Sequence, residues 1–399
     1  MNSVVRQMWE QNTDVVMVDT GNSYEGLCEY VGGKYISYTD EHPITMNPFA
    51  IKREELNIEK IGFLKNLVML IWKGTQGEVT KTEDRLIEQV ITEYFDEYFM
   101  KKQIENLSFN TFYEYSAVRI PQIIKENNLA GIDLASYNYL LKDFYKGGSH
   151  ELTLNENLDT KLFDETFIVF EIDSIKDDPL LFPLVTLIIM DVFIQKMRIK
   201  KNRKVLVIEE AWKAIASPMM AEYIKYLYKT ARKFWASVGV VTQEIQDIVG
   251  SPIVKEAIIN NSDVVMLLDQ SKFRERFDEI KAILGLTDVD CKKIFTINRL
   301  ENKEGRSFFR EVFIRRGSVG GVFGVEEPHE CYMTYTTERA EKEALKLYKK
   351  ELQCDHQHAI EAYCRDWELS GITKSLPFAQ KVNQTGHVLN LKSKRKFDE

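Results

Sequence analysis

Four consecutive apolar residues, Val205, Leu206, Val207 and Ile208, run straight into two carboxylates, Glu209 and Glu210. A strand that is apolar at every position, rather than at every second one, has to be covered on both faces, and that condition belongs to the interior of a parallel sheet flanked by helices. The same pattern recurs along the chain. Asp14–Asp19, Phe167–Asp173, Val205–Glu209, Val238–Thr242 and Asp263–Asp269 read as strands, with helices expected at Pro179–Ile199, Met219–Phe234 and Ser251–Asn260. This alternation predicts an α/β fold with a mostly parallel sheet. Between Glu54 and Tyr145 the alternation stops, and the spacing predicts helices only. Beyond Ile294, SFFREVFIRRG and ECYMTYTTE read as a terminal hairpin or edge strands. Helices follow at Glu338–Glu351 and Asp355–Leu369, and then a basic tail, LKSKRKFDE.

Composition narrows the function classes. The 61 acidic and 53 basic side chains give a formal net charge of −8, so any nucleic-acid contact has to come from a local patch. Five cysteines, an odd number and mostly far apart, point to reduced thiols and no disulfide framework. The longest apolar run, Leu180–Met190, has eleven residues and contains Pro183, too short to cross a bilayer. MNSVVRQMWEQ has no continuous apolar core of the kind a signal peptide needs.

Ligand chemistry in a parallel sheet gathers at the C-terminal ends of its strands, which is where Glu209 and Glu210 fall. One carboxylate at such a tip can hold a hydrated Mg²⁺, and a second can polarise water for attack on a phosphate, the Walker B arrangement. Taken alone, the pair fits equally a strand that ends in two solvated acids. Two further residues add to it. Arg232, in TARKFWASVGVVTQ, ends the next helix, and a guanidinium there can reach phosphate oxygens of a neighbouring subunit. Gln243 follows the next strand, where an amide can sense a γ-phosphate or orient water. An arginine at a helix C-terminus is also favoured by the helix dipole alone.

VLVIEEAW, ARKFWASVGVVTQEIQDI and DVVMVDTGNSYEGLCEYVGGKYISY…ITMNPF resemble the C-terminal motor domain of the TraG/TraC-type conjugation ATPases of type IV secretion, within the HerA–FtsK class of P-loop motors. The likeness is greatest to TraG proteins of conjugative transposons. It implies a RecA-like core with an all-helical insertion. The first part of the core would occupy residues 1–53, the insertion 54–165, the rest of the core with Walker B 166–337, and C-terminal helices with a basic tail 338–399. It also implies ATP and Mg²⁺ as ligands, with Glu209 as the Mg²⁺-side acid, Glu210 as the catalytic acid, Arg232 acting in trans and Gln243 as the sensor. Asp19 is a further candidate for positioning phosphate, beside its plainer reading as an Asx-type turn with Gly21. By the same resemblance the intact protein forms a hexameric ring, is cytoplasmic, and sits at the inner membrane through other secretion components, with DNA contact indirect.

One family feature is missing. The 399 residues contain no G-x-x-x-x-G-K-[ST], the loop whose backbone amides and lysine cradle nucleotide phosphates. Gly33–Lys34 has no glycine-rich loop before it and no Ser or Thr after it. The resemblance therefore implies that these residues start downstream of the loop, in the helix that follows it, and that on their own they bind nucleotide weakly and turn over little. A DNA-translocating coupling motor, and a non-enzymatic assembly module acting by contact, stay open as alternatives.

Other features carry plainer readings. Cys354, His356, His358 and Cys364 lie at spacings that match no zinc pattern and fall on different helix faces. Trp72, Tyr94, Phe95, Tyr98 and Phe99 are expected in the core of the helical segment. The run Lys392–Lys396 reads as a solvated terminus. Arg310, Arg315 and Arg316 are left between a nucleotide-base contact and a subunit interface.

Overall fold

The structure is a computed structural model that describes residues 1–39, 41–102, 107–157, 160–210, 218–242, 258–299 and 309–389. The chain divides into two compact units, one of residues 12–21 and 36–261, the other of residues 1–11, 22–35 and 262–399. Among the described residues no helix is long and apolar enough to cross a membrane.

The larger unit holds the sheet. Its strands are β1 (Thr13–Asp19), β2 (Lys34–Ser37), β3 (Phe167–Glu171), β4 (Arg203–Ile208) and β5 (Ala236–Val240), in the spatial order β2-β3-β1-β4-β5. β1 pairs parallel with β3 and β4, and β4 pairs parallel with β5, with Val15 opposite Phe167 and Val205, and Lys204 opposite Ala236. Every residue of β1 and of β3 is buried, and so are Lys204–Ile208 of β4. Side chains on successive residues point to opposite faces, so both faces of these strands are covered, as the uninterrupted apolar runs require.

One face is closed by helices. Val16, Val18, Ile168, Phe170, Leu206 and Ile208 share a core with helices α3 (Ile58–Lys73), α8 (Leu181–Ile199) and α9 (Pro218–Ala231). The helical segment also contains α4 (Lys81–Asp96), α5 (Phe109–Glu126), α6 (Leu134–Leu141) and α7 (Glu151–Asn155), and its core is continuous with that of the sheet. Trp72, Tyr94 and Phe95 are fully buried, and Tyr98 and Phe99 pack partly buried against the same core. Local chemistry fixes the helix starts: the Asn57 side chain accepts the Lys60 amide at 2.9 Å, and Thr80 and Glu83 cap each other reciprocally. Lys73 donates to Glu83 at 2.5 Å, and together with the Thr80 bonds it holds the Glu83 carboxyl below its ordinary value against the opposing effect of burial.

Two buried ionic contacts join elements far apart in sequence. Lys60 of α3 donates to Asp191 of α8 at 2.7 Å, and Gln195 donates to the same oxygen at 2.7 Å. At the edge where the strands begin, Lys196 meets Asp14 at 2.9 Å and donates to the Phe163 carbonyl at 2.9 Å, while Lys204 donates to the Asn202 and Phe234 carbonyls. Burial pulls the Lys204 ammonium below its usual value, Asp14 opposes that, and Lys196 adds to it.

The smaller unit corrects two expectations. The run expected at Asp263–Asp269 forms β6 (Val264–Leu267), but it pairs antiparallel with β7 (Phe309–Arg316) in a separate sheet completed by β8 (Val319–Glu326). It is therefore no member of the parallel sheet. ECYMTYTTE is the other correction. Residues His329–Tyr335 are helical, starting after Pro328 and burying Met333 and Thr334 together, and the hairpin partner of β7 is β8. Three helices, Arg339–Leu352, His356–Ser370 and Ser375–Thr385, then pack around Tyr348, Tyr363, Trp367 and Phe378. The first helix, α1 (Asn2–Glu10), and α2 (Glu25–Tyr30) belong to this unit: Arg6 donates to the Cys331 thiol at 3.1 Å and lies over the Tyr30 ring, and Lys342 pairs with Glu25. Gly26 is held where a Cβ would meet the Thr334 carbonyl at 2.4 Å. All five cysteines are free thiols.

Removing one member of a buried ion pair strands the other. Lys60→Met is expected to destabilise the larger unit by about 3–5 kcal/mol in urea unfolding, and adding Asp191→Leu should recover most of that loss. A double variant no more stable than the single one would show that the pair is not what joins α3 to α8.

Candidate functional site

Because the sheet is parallel, β3, β1 and β4 all end at one edge; β3 and β1 end on an acid, and β4 is followed directly by two. Asp19 stands opposite Glu171, and Val18 opposite Ile208, which puts Glu209 one step past the register. The backbone ties these tips together: the Glu209 amide donates to the Val18 carbonyl at 3.0 Å, Ile172 to Asp19 at 2.9 Å and Val241 to Ile208 at 2.9 Å. Asp19 and Glu171 are almost fully enclosed, 1% and 3% exposed, whereas Glu209 and Glu210 are half-buried. Glu171 uses one carboxylate oxygen to accept the Asp173 amide at 2.7 Å.

Glu210 has φ of 48°, in the left-handed region that non-glycine residues seldom enter. The chain thus turns sharply straight after the strand, and it does so on a residue that carries a carboxylate. Backbone strain of this kind collects where function requires a side chain at a given point.

The structure brings Asp19 and Glu209–Glu210 to one edge, and adds Glu171, which the sequence analysis did not single out. The signal was present, since FIVFE, DVVMVD and VLVIEE all end in acids. Arg232 is elsewhere. It is exposed and opens a short 3₁₀ turn, Arg232–Phe234, after α9, next to the start of β5, where Lys204 is opposite Ala236. β4 spans six residues between the two edges, a separation of about 20 Å at ~3.3 Å per residue. Arg232 and Glu210 of one chain therefore do not share a site. Trp235 follows with φ of 55° and is 71% exposed. Gln243 lies outside the described residues.

The donor set suits a divalent cation in part. Among the described residues no three His, Cys, Asp or Glu side chains converge to hold a metal ion. Mg²⁺ normally takes one or two protein carboxylates and completes its octahedron with water and phosphate oxygens, so Glu209 is a sufficient protein ligand only when a nucleotide is present. Phosphate itself is another matter: an edge of carboxylates repels it, and no G-x-x-x-x-G-K-[ST] loop occurs in the 399 residues to supply amides and a lysine. Cys354 and His356 form no such centre either. His356 faces Glu29 at 3.3 Å, and burial lowers its pKa while Glu29 works in the other direction.

Comparison with known proteins bears on the family and the fold. The TraG P-loop domain matches residues 1–367. Protein TraC of Escherichia coli (strain K12) is 22% identical over 287 residues, which are 69% of this chain and 31% of TraC, so the chain spans about a third of that relative. Among solved structures, VirB4 of Thermoanaerobacter pseudethanolicus superposes with a TM-score of 0.59 at 19% identity, covering 82% of this chain and 85% of VirB4. The bacterial conjugative coupling protein TrwB, in complex with sulphate, gives 0.53 at 12% identity, covering 82% of this chain and 80% of its own. At these identities the two structures establish a common fold. TrwB has also been solved with ADP and Mg²⁺, at a TM-score of 0.50 and 13% identity over 82% of this chain and 81% of TrwB.

The turn can be tested without any assay of activity. Glu210→Gly and Glu210→Ala both remove the carboxylate, but only glycine is at ease at this φ, so the glycine variant should be the more stable by about 1 kcal/mol in thermal melts. Equal melting temperatures would show that the turn relaxes and stores no strain.

Proposed function

This chain belongs to the TraG P-loop domain family, and from that premise we propose that it is the motor portion of a conjugative type IV secretion ATPase. The observation that carries the reading is the row of acids at the C-terminal edge of the parallel sheet, with Glu210 on a left-handed turn. In a protein that also carries a phosphate-binding loop, Glu209 would hold Mg²⁺ and Glu210 would orient and polarise the attacking water. Mg²⁺ supplies charge neutralisation at the phosphate oxygens. Asp19, closed in between the tips of β3 and β4, positions groups at the phosphate side. Gln243 has the role of sensor.

Arg232 serves a neighbouring subunit. Its place at the opposite edge from Glu210 supports action in trans within a ring of copies, where its guanidinium meets phosphate oxygens bound by the next subunit. Exposed Trp235 beside it supports a contact there, since tryptophan and arginine are the residues that most often anchor protein interfaces. The ring works with other secretion components at the inner membrane, and the negative net charge favours protein partners over direct DNA contact.

Three experiments test the reading. A form extended at its N-terminus by a strand and phosphate-binding loop taken from a family member should bind ATP–Mg²⁺ far more tightly than the 399-residue chain. Each lost charge-assisted hydrogen bond is worth about 1.5–3 kcal/mol, so micromolar binding by the shorter chain in calorimetry would contradict the assignment. In the extended form, Glu210→Gln should keep ATP binding and lose hydrolysis. If mixed rings of Glu210→Gln and Arg232→Ala subunits regain part of the activity that each lacks alone, Arg232 acts in trans, and its worth should be about 10³–10⁵ in rate. Mixed rings that form and stay inactive would assign Arg232 to its own helix end.

A further inference from the structure

An apolar run has to be covered on both faces, and the smaller unit's own sheet meets that condition on one face only. In β6, β7 and β8 the closed face buries Glu311 and Phe313, and there Arg315 donates to the Gly285 carbonyl at 2.9 Å. Gly320 is held so close that a Cβ would meet Phe313 at 2.6 Å and Asp290 at 2.8 Å. Successive side chains alternate between faces, so the pairing register identifies the residues of the other face. Met266, Ile314 and Gly321 form one row across it, and Val312 and Phe323 the next. Val319 is 75% exposed and Phe323 53%, and Val264 and Met266 are exposed as well. An antiparallel sheet with one wet face normally carries polar side chains on that face. This one is apolar in its middle and charged only at its two ends, by Arg316 between Val264 and Val319 and by Arg310 opposite Val325.

Charge and size select what covers it. Arg310 and Arg316 are both exposed, Arg310 donates to the Phe309 carbonyl at 2.8 Å, and neither guanidinium has an acid partner among the described residues. None of the three strands places an acid on this face. A second copy of the same face would therefore set guanidinium against guanidinium, whereas a surface with carboxylates at its ends is drawn in. The two arginines stand six residues apart on β7, about 20 Å at ~3.3 Å per residue, a span that about thirteen residues of α-helix cover at ~1.5 Å each. Between its outer strands the sheet measures roughly 10 Å, the width of one helix. Phe323 supplies an aromatic anchor near the middle: its ring leans over Gly321, 3.3 Å from where a Cβ would stand, and half of it stays open to a partner.

We propose that this face docks an amphipathic α-helix of a partner protein, with its apolar stripe on Met266, Ile314 and Phe323 and a carboxylate near each end paired with Arg310 and Arg316. The surface lies within the smaller unit and does not depend on the motor assignment.

Fluorescence anisotropy tests it, with the 399-residue chain and a capped, labelled peptide of about eighteen residues that carries leucine at helical spacing and glutamate toward both ends. The glutamate peptide should bind. The same peptide with lysine in place of glutamate should bind about tenfold more weakly, and one with a central proline about a hundredfold more weakly. Phe323→Thr keeps a strand-forming residue at an exposed position, so it should leave the melting temperature nearly unchanged and weaken binding about tenfold or more. Arg310→Glu combined with Arg316→Glu should reverse the preference, so that the lysine peptide binds the better, a gain that misfolding cannot produce. Absent binding of the glutamate peptide, equal binding of the proline form, binding unchanged by Phe323→Thr, or an unreversed preference each overturns the proposal. So do dimers in sedimentation that Phe323→Thr dissociates, which would make a second copy the occupant. Loss of peptide binding in the N-terminally extended form overturns it too, because the cover would then be a segment of the same polypeptide.

Discussion

Coverage of the parallel strands on both faces is the constraint from which most of this architecture follows. Val205–Ile208 leave no polar face to point at water, so a layer of helix is required on each side. On one side α3, α8 and α9 meet it, and the helical segment that interrupts the strand alternation is drawn into the same core. Two buried ion pairs, Lys60–Asp191 and Lys196–Asp14, then fix how helices sit on that sheet. Neither is a large net source of stability, because desolvation offsets most of the attraction; their effect is to make wrong packings leave a bare charge in an apolar layer.

The three inner strands of the sheet were legible because they are buried almost throughout, whereas β5 is only partly covered and the short edge strand β2, exposed at both ends, was not expected. Thr13–Asp19, Phe167–Glu171, Arg203–Ile208 and Ala236–Val240 match the expected runs to within a few residues. β6 has an equally apolar sequence, but an apolar run says that a strand is sheltered and not which neighbour it pairs with, and its antiparallel partner β7 lies far along the chain. Its partial exposure, with Val264 and Met266 more than two-fifths exposed, appears only in three dimensions. The ECYMTYTTE segment failed for another reason. Its Tyr, Met and Thr residues favour strands in isolation, and packing that buries Met333 and Thr334 on one helical face outweighs that preference.

The candidate site was legible where chemistry and strand ends coincide. Glu209 and Glu210 announce themselves in sequence; the strain at Glu210 does not, since no residue type at that position signals a positive φ. Glu171 was overlooked because it was read singly, and only the register that sets it opposite Asp19 makes it part of a row.

Helix α9 connects the two edges. It is fourteen residues long, a rod of roughly 21 Å at ~1.5 Å per residue, and it starts soon after the Glu210 turn and delivers the chain to Arg232. An intact helix resists bending far more than the loops at its ends, so these fourteen residues hold the turn at Arg232 at a fixed distance from the start of the helix. In the proposed ring, the pose of Arg232 would follow the seating of this helix on the sheet, which ties an exposed arginine to the buried core of its own subunit.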